Sequence, residues 1–265
     1  MNVRKMNRID TLFQEKQRNI LSIYFTAGHP TLDSAPAIIE TLASEGADMI
    51  EIGIPFSDPI ADGPVIQKSS HTALENGMSL KTLFDQLKDI RKAVDIPLLL
   101  MGYLNPVLQY GVEKFCAACR RTGIDGTIIP DLPMNIFKEE YGSLFEAYKL
   151  YNIFLATPQT SDERYKQLDA GSKGFLYMVA ASATTGARLN FESYQEDYFK
   201  RIQNLPLKSP RLIGFGISSY ETFAHACNYA NGAIIGSAFV NVLEEKGNLK
   251  KNIEKFVRSI RNKDD

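Results

Sequence analysis

Residues 47–64 read ADMIEIGIPFSDPIADGP: an apolar approach, a glutamate, and then a loop of prolines, glycines and acids. Within Met49-Ile50-Glu51-Ile52-Gly53 a carboxyl group stands between apolar neighbours, where a buried strand is about to end. Taking a carboxylate out of water is costly unless something is gained by it. Its place would make chemical sense if this were one of several parallel strands, because barrel enzymes gather their reactive groups at the strands' C-terminal ends. The rest of the chain decides whether that is so.

Working outward, apolar runs of the same kind recur at residues 21–25, 49–52, 96–101, 126–129, 153–156, 174–179, 211–215 and 232–235. Between them, segments such as 33–45, 80–94, 134–151 and 191–204 carry apolar residues at i, i+3 and i+4 with polar opposite faces, the pattern of surface helices. Strands that are apolar throughout are buried on both sides, and eight of them alternating with helices point to parallel βαβ units. An open doubly wound sheet would alternate in the same way. Such a sheet built for a dinucleotide carries GxGxxG after its first strand, whereas here the first run leads into Thr26-Ala-Gly-His-Pro30. The glycines come late, as Gly214-Phe-Gly216 and Gly236-Ser237, where barrels often hold a phosphate. The expected fold is therefore α/β, a (β/α)8 TIM barrel, with residues 7–18 as an extra N-terminal helix covering its base. The chain's 265 residues suit one such barrel, and no linker-like tract divides them, so residues 1–265 read as a single domain.

A formal net charge of -1 with scattered basic residues gives no electrostatic pull toward nucleic acid or anionic lipid. The N-terminus is too polar for a signal peptide, and no apolar run approaches the ~18 residues of a membrane span, so a soluble cytoplasmic protein is expected. Three cysteines, at 116, 119 and 227, cannot make a disulfide framework. Cys116-Ala-Ala-Cys119 falls inside an amphipathic helical stretch rather than at a strand-to-helix turn, which favours core packing over redox or metal use.

The strand ends read FTAGHP, EIGIPFSDP, MGYLNP, IPDLP, ATPQT, YMVAAS, GFGIS and IGSAF. None holds a lysine, which argues against a Schiff-base aldolase, and His29 stands alone, so no metal site is expected. Glu51 is the sharpest candidate: burial should raise its pKa and fit it to give a proton and take one back. A structural glutamate paired with a neighbouring donor is the alternative. Asp62 lies in a turn-rich loop that can fold back over the same mouth, and Asp58, beside Pro59, reads better as a turn-former. Tyr177 and Asp131 either face a ligand or belong to the framework. Gly186, Gly216, Gly236 and Ser237 suit one phosphate, though each glycine could also serve a tight turn.

Taken together, these residues resemble the α subunit family of tryptophan synthase over essentially the whole chain. The most specific stretch is PFSDPIADGP, residues 55–64, preceded by Glu-Ile-Gly. The resemblance implies a (β/α)8 barrel that cleaves indole-3-glycerol phosphate to indole and glyceraldehyde 3-phosphate. It implies Glu51 and Asp62 as the catalytic pair, Tyr177 as an active-site tyrosine, and Gly186, Gly216, Gly236 and Ser237 at the phosphate. It further implies no cofactor in this chain, and a pyridoxal phosphate β subunit that takes up the indole in an α2β2 heterotetramer. The sequence departs from the family pattern at Ala180 and Ala183, where serine and glycine are expected. Two other readings are a subunit that only activates and channels to its partner, and another phosphosugar barrel; the second shares the phosphate loops but not the motif after the second strand.

Overall fold

A computed structural model describes residues 6–180, 191–214 and 216–262. Eight parallel strands close on themselves in chain order. They are β1 Ile20–Thr26, β2 Met49–Gly53, β3 Leu98–Met101, β4 Gly126–Ile128, β5 Tyr151–Ala156, β6 Leu176–Val179, β7 Arg211–Gly214 and β8 Gly232–Ile235. β8 returns to β1, with Ile20 beside Gly232 and Ile23 beside Ile235, which completes the (β/α)8 barrel expected from the alternation.

Successive side chains on a strand face opposite ways, so the core divides in two. One parity, with Ile20, Met49, Leu99, Ile153, Tyr177 and Ile234, fills the barrel's interior. The other, with Leu21, Ile23, Ile50, Leu98 and Leu100, packs under the surrounding helices. Both faces are dry, which is why the strands read as apolar throughout.

The base is closed by the helix Arg8–Glu15, whose Ile9 and Phe13 belong to the interior cluster. A side chain added at Gly126 or Gly174 would meet Ile9, so this helix lies against the start of β4 and the approach to β6. Asn7 caps it by accepting the Ile9 N–H at 2.9 Å, and Arg8 ties it to Asp95 and Asp125 at 2.7 and 3.1 Å. This is the extra helix expected over 7–18, ending earlier, at Glu15.

At the opposite end two glycines decide how the mouth is built. The Tyr24 phenol lies over Gly53 of the next strand, and the Tyr177 phenol lies over Gly214. A β-carbon at either glycine would occupy the space of the phenol, so both rings reach across the mouth only because their neighbours lack one.

Two helical segments differ from their sequence reading. The helix expected over 134–151 is broken into Met134–Ile136, a π-helical turn Phe137–Tyr141 and Gly142–Ala147, with β5 already starting at Tyr151. Phe137 packs edge-on against both Phe145 and Phe154, at 5.0 and 5.6 Å, and this aromatic contact holds the widened turn against the sheet. The helix expected over 80–94 stops at Leu87 and is followed by a 3-10 turn, Ile90–Lys92. There Arg91 donates to the carbonyls of Gly123 and Ile96 and to the Asp125 carboxylate, a tertiary demand that helical periodicity does not show. Among the described residues no helix is long and apolar enough to cross a membrane.

Candidate active site

Glu51 sits in the middle of β2, between Tyr24 of β1 and Leu99 of β3, on the parity that faces the barrel's interior. It is completely buried. The Ser22 hydroxyl donates to Oε1 at 2.8 Å, and Oε2 has no partner among the described residues. Loss of hydration penalises the charged form and pushes the carboxyl from 4.5 up to about 8, with the Ser22 hydrogen bond pulling weakly the other way. At neutral pH the group therefore holds a proton that it can still give up. The sequence placed Glu51 at the mouth; the structure sets it behind Tyr24 and Tyr177, which line the cavity there, while Glu51 itself does not.

Asp62 returns over the same mouth from the loop after β2, partly buried. Tyr103, on the loop after β3, donates its phenol to Oδ2 at 3.1 Å and accepts the Ala61 N–H at 2.9 Å. Burial raises the Asp62 pKa and the Tyr103 hydrogen bond opposes the rise. The start of the loop is fixed as well: the Phe56 N–H donates to Ser70 Oγ at 2.7 Å, and the Phe56 ring lies 5.1 Å from that of Tyr103. Ile60 is the large apolar residue this loop gives to solvent, 90% exposed.

The space between these groups is a cavity of about 200 Å³. Tyr24, Met101, Tyr177 and Ile234 form apolar walls, Asp62 lies on its lining, and Gly216 and Gly236-Ser237 provide a backbone rim. Burial first, then the charges of Glu51 and Asp62, holds the Tyr177 phenol well above its ordinary range, so it is a neutral hydrogen-bonding group. Gly216 takes φ +75 with open space beside it, and Gly236 stands immediately before the helix Ser237–Leu243. The structure thus brings together Glu51, Asp62, Tyr177, Gly216, Gly236 and Ser237; Gly186, like Ala183, lies outside the described residues. A larger cleft, about 890 Å³, opens near Arg8, Asp125 and Lys149 at the base of the barrel and contains neither carboxyl of the pair. Its size alone gives it no chemistry.

The remaining candidates fall to the framework. Asp58 is exposed beside Ser57, and the Asp131 carboxylate accepts the Leu104 N–H at 2.9 Å, capping the helix Leu104–Tyr110. Cys116, Cys119 and Cys227 are buried, and burial raises each thiol. Among the described residues no cluster of three or more His, Cys, Asp or Glu is arranged to hold a metal ion. Three site residues were not singled out from the sequence: Ser22, Tyr24 and Tyr103. For the first two the available signal was parity, since Ser22 and Tyr24 share the inward face of β1 and a serine in a dry interior needs a partner.

Comparison with known proteins agrees with the barrel fold. The family model described as tryptophan synthase alpha chain matches residues 11–264. The tryptophan synthase alpha chain of Flavobacterium johnsoniae is 56% identical over 97% of this chain and 100% of its own length, and that of Phocaeicola vulgatus 55% identical over the same shares. Among solved structures, the alpha subunit from Legionella pneumophila superposes with a TM-score of 0.85 at 34% identity, covering 97% of this chain and 98% of its own. A chain of the tryptophan synthase complex from Pyrococcus furiosus gives 0.83 at 34% identity, covering 93% and 99%. With a matching family model over nearly the whole chain and relatives more than half identical to it, the chain belongs to the tryptophan synthase alpha chain family.

Proposed function

We propose that residues 1–265 form one catalytic domain in which Glu51 and Asp62 are the working pair, Tyr177 contacts the substrate, and Gly186, Gly216, Gly236 and Ser237 receive its phosphate. The reaction is the retro-aldol cleavage of indole-3-glycerol phosphate to indole and glyceraldehyde 3-phosphate, a carbon–carbon lyase step of tryptophan biosynthesis. The observation that supports the assignment most is Glu51, fully buried on the inward face of β2 with a single neutral donor, at the same end of the barrel as a second carboxyl, Asp62, that is hydrogen-bonded and closer to solvent.

The chemistry follows from that contrast. Indole cannot leave with the bonding electrons from C3 until C3 is protonated, and Glu51 gives that proton. The ring nitrogen becomes positive, and an ionised Asp62 accepting its N–H hydrogen bond stabilises the charge. The side-chain hydroxyl next to the breaking bond then loses its proton to the Glu51 carboxylate. The C–C electrons return to the ring, the oxygen becomes an aldehyde, and Glu51 is again protonated. This sequence asks no cofactor of the chain.

Indole formed at the mouth would escape into water unless a partner covers it. The partner we infer is a tryptophan synthase β subunit carrying pyridoxal phosphate, in an α2β2 assembly in the cytoplasm, docking over the loop that carries Ile60. Phe56 of the same loop, with its ring against Tyr103, is half-buried, and Ile60 is the apolar residue offered outward. Indole measured from the purified chain and indole-3-glycerol phosphate, with and without a β subunit, tests the whole reading. Cleavage in both cases, faster with the partner, is expected; activation of β without cleavage would favour a subunit that only regulates and channels.

A further inference from the structure

β1 reads ILSIYFT, and its inward parity is Ile20, Ser22, Tyr24. Ser22 is fully buried in an otherwise apolar layer, and its hydroxyl donates to Glu51 Oε1 at 2.8 Å. That carboxyl's other oxygen, Oε2, is buried without a partner among the described residues. We propose that Ser22 is the positioning residue of Glu51: by fixing Oε1 as an acceptor, its hydroxyl leaves the transferable proton on Oε2. The proposal rests on the reading of Glu51 as proton donor and specifies which oxygen does the work.

A neutral carboxyl has one carbonyl-like oxygen and one that carries hydrogen. If the proton sat on Oε1 and pointed at Ser22, the Ser22 hydrogen would need another acceptor in a fully dry layer, and Oε2 would become a second unsatisfied acceptor. Donation from Ser22 to Oε1 removes the first conflict and turns Oε2–H into the free donor. Once the proton has gone to carbon, the same bond becomes charge-assisted and steadies the carboxylate until it takes the hydroxyl proton back. The titratable groups facing Glu51 are Tyr24 from β1 and Tyr177 from β6, and both of these also feel Asp62, which Tyr103 holds on the loop beyond them. Burial holds all three phenols above their ordinary range, so they stay neutral across the working range of pH. Ser22 then bonds Glu51 in both of its protonation states.

The test compares Ser22→Val with Ser22→Thr, two side chains of one shape that differ in the hydroxyl. Glu51 acts when protonated, so turnover falls as pH rises through its pKa. Removing the donor destabilises the carboxylate, and the alkaline limb of the kcat profile for Ser22→Val should move up by about one pH unit, with kcat at pH 7 down about tenfold and KM within about threefold. Ser22→Thr should keep the wild-type limb. Coincident limbs for the two variants would overturn the proposal. Should the γ-methyl groups prevent folding, Ser22→Ala serves with an infrared readout: the Glu51 carboxyl C=O band, isolated by difference from Glu51→Gln, should move to higher frequency when its donor is lost. An unmoved band would overturn the proposal equally. If Glu51→Gln itself turned over normally, the acid–base reading would fall; if it were inactive while Val and Thr behaved alike, only the role of Ser22 would.

Discussion

Asp62 lies on the lining of the cavity and Glu51 behind it, yet the proposed mechanism needs the one charged and the other protonated. Their surroundings separate them. Glu51 has no exposure and one neutral donor, and titrates near 8; Asp62 is partly exposed and accepts from Tyr103, which opposes the upward push of burial. Glu51→Gln keeps the shape and the Ser22 contact but has no acid proton, and should cost on the order of 10²- to 10⁴-fold in kcat with little change in KM. Asp62→Asn cannot balance charge on the ring nitrogen and should also lower kcat. If it raised KM alone, Asp62 would be a binding residue. In the wild type kcat should rise with pH through the Asp62 ionisation and fall again near pH 8 as Glu51 loses its proton. A profile flat to pH 9, with chemistry rate-limiting, would contradict the assignment of the acid.

The loop after β2 works as an element pinned at both ends, by Ser70 on Phe56 and by Tyr103 on Ala61 and Asp62. Tyr103→Phe keeps the ring against Phe56 and removes both hydrogen bonds at the Asp62 end. Turnover should fall by about tenfold, with the acidic limb moving to higher pH because Asp62 loses the donor that opposed its rise. A limb that stayed put would mean the loop is held by other contacts. On the phosphate side, a β-carbon at Gly236 would meet Tyr24 no closer than 3.7 Å, so Gly236→Asp should fold normally. Its new charge would stand on the rim where backbone must approach an anion, and calorimetry should show glycerol phosphate binding lost. The strands were legible in the sequence because burial on both faces makes each one apolar throughout. Glu51 and Asp62 were legible because acids at such strand ends are conspicuous. Ser22 and Tyr103 were not: a serine acquires meaning only from the strand parity that aims it at Glu51, and Tyr103 only from a loop that folds back onto it. The break in the helix expected over 134–151 was hidden for the same reason, since Phe137 owes its place to Phe154 on a strand the periodicity does not connect with it.

At the scale of the whole molecule, a buried acid is a stability defect that grows with pH. Glu51 ionises near 4.5 in the unfolded chain and near 8 in the folded one. Below about pH 4.5 both states hold the proton and the group adds no pH dependence. Between the two values the unfolded state has lost a proton that the folded state keeps, so the free energy of unfolding falls as pH rises, by at most about 1.4 kcal/mol per pH unit from this one group. Above about 8 both are ionised and the full penalty of a charge in a dry barrel stands. Glutamine cannot titrate, so Glu51→Gln removes this slope whatever constant offset its amide introduces. The melting temperature of Glu51→Gln relative to wild type should therefore climb between pH 5 and pH 8 and level off beyond, followed by thermal unfolding in matched buffers. Parallel curves for the two proteins across that range would mean that the folded barrel does not hold the Glu51 proton, and the acid proposed for cleavage would have to be found elsewhere. The expected result makes the loss of turnover and the gain of alkaline stability two readings of one desolvated carboxyl.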